Sequence, residues 1–212
     1  MEPTGRTHAE NKAARRQHII ESAFRTFSGR TIDAVNLTEV ARAAGVGVAT
    51  VYRYFDSKTQ LVLEASTWAW SRFIRENRAR EDISGRSGAG QYAFFLDAFI
   101  ELYRNHRDIL RFNQFFNVYV QREDVTAEHL RPFNYLVDNV ARGFHECYEK
   151  GMADRTLRAD CPEREMFSRT LRLMLAAVTR YAVGLVYDTG ADPEAELVFL
   201  KELLLREYTR LP

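Results

Sequence analysis

Between Leu37 and Lys58 the chain runs Leu-Thr-Glu-Val-Ala-Arg-Ala-Ala-Gly-Val-Gly-Val-Ala-Thr-Val-Tyr-Arg-Tyr-Phe-Asp-Ser-Lys, and this segment holds the residue types best placed to do chemistry. That chemistry is recognition rather than bond-making. Gly45-Val46-Gly47 interrupts a short helix, since glycine permits the positive φ that a sharp turn between helices needs. Val40, Ala41, Val46, Val51 and Phe55 form an apolar pin between the helices on either side, and the small Ala41 and Ala44 let them cross closely. On the second of these helices Ala49, Thr50, Arg53 and Tyr54 are left facing outward. Small, hydroxyl-bearing and cationic side chains of this kind suit a major groove about 12 Å wide.

Other constellations are thin. His8, His18, His106, His129 and His145 are scattered. His145 with Glu146 or Glu149 offers an acid and a base, but such pairs are common on helix surfaces. There is no glycine-rich phosphate loop, nucleophile elbow or metal-spaced His/Cys cluster, so no catalytic residues, cofactor or metal site are expected. Cys147 and Cys161 have no metal-ligand spacing and follow no secretory leader, which suits reduced thiols in a cytoplasmic protein. Charge interrupts every apolar run before the ~18 to 20 residues that a membrane span requires. Residues 1–60 carry nine Lys and Arg against six Asp and Glu, leaving 21 against 23 in the rest of the chain. A basic front on a near-neutral body suits a DNA-contacting head. A general DNA compactor would be basic throughout.

The elements that must position this segment are helical. After a tail ending near Thr7, Ile20, Phe24 and Phe27 recur at helical spacing, and Gly29 stops this first helix. Asn36 with Glu39, and Ser57 with Gln60, are capping-box-like pairs that open the second and fourth helices. The third helix runs from Val48 to Tyr54, and the fourth, with Leu61, Ala65 and Trp68 in register, continues to about Arg80. A polar loop over Ser84 to Gly90 follows. Further helices are expected over Gln91–Asn105, Asp108–Gln121, Ala127–Lys150, Glu163–Tyr187 and Pro193–Tyr208, with Gly151 as a stop and Pro162 as a start. The fold class is therefore all-α, with about nine helices.

Gly45-Val46, Thr50-Val51-Tyr52, Tyr54-Phe55, Ser57-Lys58 and Leu61, with Ile19, Ala23, Phe24 and Phe27 upstream, resemble the DNA-binding signature of the tetracycline-repressor-like family of bacterial transcriptional regulators. The resemblance implies a helix-turn-helix DNA-binding domain over residues 1–56 and a helical ligand-binding and dimerising domain over 57–212. It implies Thr38, Val48, Ala49, Thr50 and Arg53 as groove-facing residues, with Arg53 able to take guanine O6 and N7 as a bidentate pair. It implies Tyr52, Tyr54 and Lys58 as phosphate contacts, Lys58 lying in a first helical turn that favours an anion. Plainer readings stand beside these: Tyr52 packed partly inward, Arg53 paired with a carboxylate, Lys58 merely solvated. Thr31 stands where the family usually has glycine, and Gly47 where many members have serine.

The remaining residues speak for themselves. On the sixth helix Phe112 and Phe116 flank Asn113 and Asn117, whose amides need partners if buried and are ordinary surface groups if exposed, the simpler reading. Phe95, Phe99, Tyr103, Phe144 and Tyr148 can close a largely apolar cavity, suggesting an apolar or aromatic small-molecule effector, although an aromatic stripe is more often plain core. Leu171, Leu175, Val178, Ala182 and Leu185 on the eighth helix, and Leu197, Leu200, Leu203 and Leu204 on the ninth, give wider apolar coverage than one buried face needs. With the resemblance, this suggests a four-helix homodimer interface on a palindromic operator. A protein partner in place of the effector is the alternative.

Overall fold

Thr7 and Glu10 close a full capping box on the first helix, and Asn36 and Glu39 do the same on the second, satisfying backbone N–H groups that a helix start leaves unpaired. In the computed structural model, which describes residues 7–123, 125–184 and 190–209, the helices are α1 (His8–Ser28), α2 (Leu37–Ala43), α3 (Val48–Tyr54), α4 (Lys58–Ala79), α5 (Gly88–Asn105), α6 (Arg107–Arg122), α7 (Ala127–Ala153), α8 (Glu163–Val183) and α9 (Pro193–Tyr208). These nine are the α-helices among the described residues, and no strand ladder occurs there beyond an isolated bridge between Leu157 and Thr209. The all-α expectation holds. No helix among the described residues is long and apolar enough to cross a membrane.

The chain divides into two compact units. One comprises residues 1–71 and 112–133, the other 72–111 and 134–212. This division differs from a cut after residue 56, because the first turns of α4 and the second half of α6 supply core to the N-terminal helices. Phe112 of α6 is fully buried with its ring 5.4 Å from that of Phe24 in α1. Leu61, Val62 and Ala65 of α4 are likewise buried.

In the second unit α5 packs on α8 and α9, and α8 on α9. Two sequence expectations fail here for one reason. Gly151 does not end α7, which continues to Ala153, and the expected loop through Gly90 gives way to helix at Gly88. The two glycines meet: a Cβ on Gly88 would lie 2.1 Å from the Cα of Gly151, and one on Gly151 would lie 2.3 Å from Cγ of Leu157. This close approach lets the end of α7 cap α5. Asp154 Oδ2 accepts from Gly88 N at 2.8 Å and Thr156 Oγ1 accepts from Ala89 N at 2.9 Å. Cys147, buried beside this junction, donates to the Gly88 carbonyl at 3.4 Å, and burial pushes its thiol up to about 12. Both cysteines are free. α8 ends at Val183, where Gly184 adopts φ 107°; the expected continuation over 185–187, with Leu185, lies outside the described residues.

Overpacking at this junction has a measurable cost. Gly88→Ala is expected to destabilise the protein by about 1 to 3 kcal/mol, or roughly 3 to 10 °C in thermal midpoint. Gly85→Ala, where an added Cβ meets nothing within 4 Å, should stay within about 0.5 kcal/mol of the parent. Equal midpoints for the two variants in thermal denaturation would refute the close-approach argument.

Candidate nucleic-acid interface

α2 and α3 are joined by a turn built on Gly45, whose φ of 63° lies in the left-handed region. The Val46 N–H closes it on the Ala41 carbonyl at 2.9 Å. Val40, Ala41, Ala44, Val51 and Phe55 are all buried, so the expected apolar pin is present; Val46 is half-buried. Gly47 occupies the cap position of α3 with ordinary extended geometry and no side-chain hydrogen bond. Where the family signature has glycine, Thr31 instead leads into a 3-10 turn over Ile32–Ala34, which buries Ile32.

Val51 is the one buried residue within α3. Thr38 of α2 and Val48, Ala49, Tyr52 and Arg53 of α3 are exposed, while Thr50 and Tyr54 are half-buried. Tyr52, at 55% exposure, is not packed inward. Arg53 forms no ion pair among the described residues; its guanidinium carbon sits 5.6 Å from the centre of the Tyr54 ring. Its donors are therefore uncommitted to a carboxylate.

Lys58 is the exception to free display. Its Nζ lies 3.5 Å from the Asp33 carbonyl oxygen and 5.6 Å from the Tyr119 ring centre. Burial lowers its pKa, opposed by the charges of Asp33 and Glu123. Ser57 caps α4 by accepting from Gln60 N at 3.1 Å. Beside it the Thr59 hydroxyl meets the Tyr119 hydroxyl at 3.0 Å and donates to Glu123 at 3.2 Å, and Arg122 lies 3.4 Å from Asp33. This polar cluster ties the end of α6 to the start of α4. Sequence reading missed it, because its partners are some 60 to 90 positions apart and no local pattern announces them.

The aromatic candidates fall into two separate clusters. In the first unit Phe112 stacks on Phe116 at 5.9 Å, and Phe116 meets Phe133 at 5.3 Å. Asn113 is 6% exposed and Asn117 is exposed, so the supposed amide pair is split by the helix face and the simple surface reading fails for Asn113. The buried Ser66 hydroxyl of α4 lacks a hydrogen-bond partner. In the second unit Phe95 meets Phe99 at 5.6 Å and Phe144 at 5.3 Å, with Phe167, missed in the sequence, 5.1 Å from Phe144. Tyr103 pairs with Tyr181 at 6.3 Å, and Tyr148 donates to the Cys161 carbonyl at 2.9 Å. The buried Thr179 hydroxyl has no partner.

The apolar coverage of α8 and α9 is sorted by burial. Val178, Ala182, Leu197 and Leu204 are buried within the protomer, so as side chains that pack inward they offer no surface to a symmetry mate. Leu171, Leu175 and Leu200 are half-buried. The exposed apolar side chains on these helices are Leu173, Val183, Val198, Phe199 and Leu203, with Phe199 at 62%.

Residues 19–65 match the family model described as bacterial regulatory proteins, tetR family. Over 49 residues the chain is 41% identical to the HTH-type transcriptional regulator AcrR of Shigella flexneri, a match spanning 23% of this chain and 23% of that regulator. The fatty acid degradation regulator FadR of Bacillus halodurans shares the fold at TM-score 0.71 and 17% identity, over 90% of this chain and 94% of its own. FadR of Bacillus subtilis, solved in complex with stearoyl-CoA, does so at TM-score 0.70 and 18% identity, over 89% and 97%.

The bare cap of α3 generates a test. An added Cβ at Gly47 meets nothing within 4 Å and the backbone is unstrained. Gly47→Ser is expected to stabilise the fold by about 0.3 to 1 kcal/mol, from a side-chain cap and a less flexible unfolded chain. A lowered denaturation midpoint in urea would show that Gly47 is required for another reason.

Proposed function

We propose that the chain, whose residues 19–65 match the tetR family of bacterial regulatory proteins, is a transcriptional regulator of that family, a ligand-released repressor binding a palindromic operator as a homodimer. The observation that carries this reading is the display of Val48, Ala49, Tyr52 and Arg53 on a helix pinned from behind by Val51 and Phe55. Residues 1–56 form the DNA-reading head, and 57–212 the sensing and dimerising part. Arg53 takes a guanine edge in the major groove; Thr38, Val48, Ala49 and Thr50 line the approach; Tyr52, Tyr54 and Lys58 hold phosphates. The protein works where the chromosome is, in the bacterial cytoplasm, and the reading assigns it no catalytic step.

The exposed Leu173, Val198, Phe199 and Leu203, with the half-buried Leu171, Leu175 and Leu200, supply the apolar contact between symmetry mates. The effector is a small, largely apolar or aromatic molecule. Its body suits the rings of Phe95, Phe99, Phe144 and Phe167. The stearoyl-CoA held by the Bacillus subtilis neighbour is a ligand with such an apolar body. Helix α4 contributes residues to both compact units. A ligand-driven change in its tilt shifts the spacing of the two recognition helices, so half-sites roughly 34 to 36 Å apart no longer align.

Binding sites selected from a random or genomic DNA pool at about 0.15 M salt should converge on a palindrome. Arg53→Ala is expected to relax preference at one base pair, costing about 1 to 3 kcal/mol on the selected site. Lys58→Ala should weaken all sequences alike and lower the salt slope by about one. An asymmetric single half-site would count against the dimer. No motif at all, with weak and purely salt-driven binding, would sink the operator-binding reading.

A further inference from the structure

The N-terminal turns of α1 stand outside any core. Every side chain from His8 to Arg15 is exposed, and the buried run of α1 begins only at Ile19. At 1.5 Å per residue the overhang is about 12 Å long. Its start is nevertheless well formed, since the Thr7 hydroxyl accepts from Glu10 N at 3.2 Å and Glu10 accepts from Thr7 N at 2.6 Å.

Two contacts within the N-terminal unit give its direction. Phe24 meets Trp68 with ring centres 5.5 Å apart, and eight positions earlier Arg16 pairs with Glu64. Moving towards the N-terminus of α1 therefore moves towards the N-terminus of α4. Arg16 also lies over the Phe55 ring, 5.0 Å from its centre, and Phe55 closes α3. The overhang thus leaves the head on the side of the α3–α4 junction. The stripe that packs on the core through Phe27, Ala23 and Ile20 continues, at helical spacing, into Arg16 and Lys12. It turns cationic where the core ends. Arg16 is committed to Glu64, whereas Lys12 and Arg15 enter no ion pair among the described residues.

We propose that this overhang is a second DNA contact, in which Lys12 and Arg15 bind the phosphate backbone flanking the groove that α3 occupies. The proposal rests on the operator-binding reading above and lengthens its footprint. Charge complementarity and continuity with the α3–α4 junction select this occupant. A protein partner would need large apolar or aromatic anchors, and from His8 to Gln17 the apolar residues are alanines alone. A phosphate needs only a cation within reach, and such a contact positions the protein without reading sequence.

The test uses the full chain and the operator it selects, with affinity measured across salt for the parent, for Lys12→Gln with Arg15→Gln, and for Arg111→Gln as a single-charge control on α6. The double variant is expected to lose about 1.8 from the slope of log affinity against log salt, and roughly 10- to 30-fold in affinity at 0.15 M salt. The loss should be equal on the operator and on a scrambled duplex. The control slope and all three thermal midpoints should be unchanged, and Lys12→Arg with Arg15→Lys should retain the parent slope. An unchanged slope in the double variant, while the parent still binds its operator, overturns this proposal and leaves the operator reading standing. A loss confined to the operator overturns the phosphate assignment in favour of base contact. A parent that selects no operator overturns the reading on which the proposal rests.

Discussion

A recognition helix of seven residues with one buried side chain cannot hold itself together, and the architecture of the N-terminal unit answers that constraint. Helix nucleation is costly, and two turns in water do not repay it without tertiary packing. α3 is therefore fixed at three points: the Gly45 turn before it, Val51 in its middle and Phe55 at its end. Val51 and Phe55 are four apart and so share one face, meeting a core that holds Val40 and Ala41 of α2 and Phe24 and Phe27 of α1. Every side chain not needed for that attachment is free to face a ligand. Sparse burial in α3 has to be offset by dense burial elsewhere in the same unit.

Helix α6 supplies part of that density. Phe112 is fully buried, worth about 1.5 to 3 kcal/mol by removal from water alone. The Thr59–Tyr119 hydrogen bond adds about 0.5 to 1.5 kcal/mol. The Arg122–Asp33 pair is more than half exposed on both sides and contributes little. The apolar contact thus dominates the attachment, and the hydroxyl cluster fixes where along α4 the end of α6 rests. Lys58 sits in the same cluster, so the freedom of its ammonium to meet a phosphate is linked to how α6 is seated.

What was legible in the sequence was local. The caps at Asn36 and Ser57 and the Gly45 turn are encoded within a few residues of one another, and the structure has them where expected; of the face expected outward on α3, Ala49 and Arg53 are exposed while Thr50 and Tyr54 are half-buried. Contacts between distant positions were not legible. Gly151 looked like a helix stop because a glycine's usual local role is to end a helix; its actual role is set by Gly88 and Leu157, which approach it in space. Local pattern placed Phe112 and Phe116 beside the two asparagines of the sixth helix but could not say that the partner of Phe112 was Phe24. The apolar stripes of α8 and α9 were legible as stripes, but not what covers them: Val178, Leu197 and Leu204 are buried within the protomer, whereas Leu171, Leu175 and Leu200 are half-buried and Leu203 is exposed.

Charge behaves in the same way, because a formal count says less than the pairing. The first 60 residues hold an excess of only three cations. Several of their charges are engaged in holding the fold: Arg30 on Glu39, Arg16 on Glu64, and Asp33 facing Arg122. Of the cations left over, Lys12, Arg15 and Arg53 are exposed side chains of α1 and α3. At physiological ionic strength a charge acts over about 8 Å, so a polyanion meets these side chains and not the chain's near-neutral total. A chain with a net charge of +1 can therefore hold a nucleic acid at one surface. On the proposed reading, its neutral remainder keeps the attraction from becoming indiscriminate and leaves the few side chains on α3 to decide where along a duplex it stops.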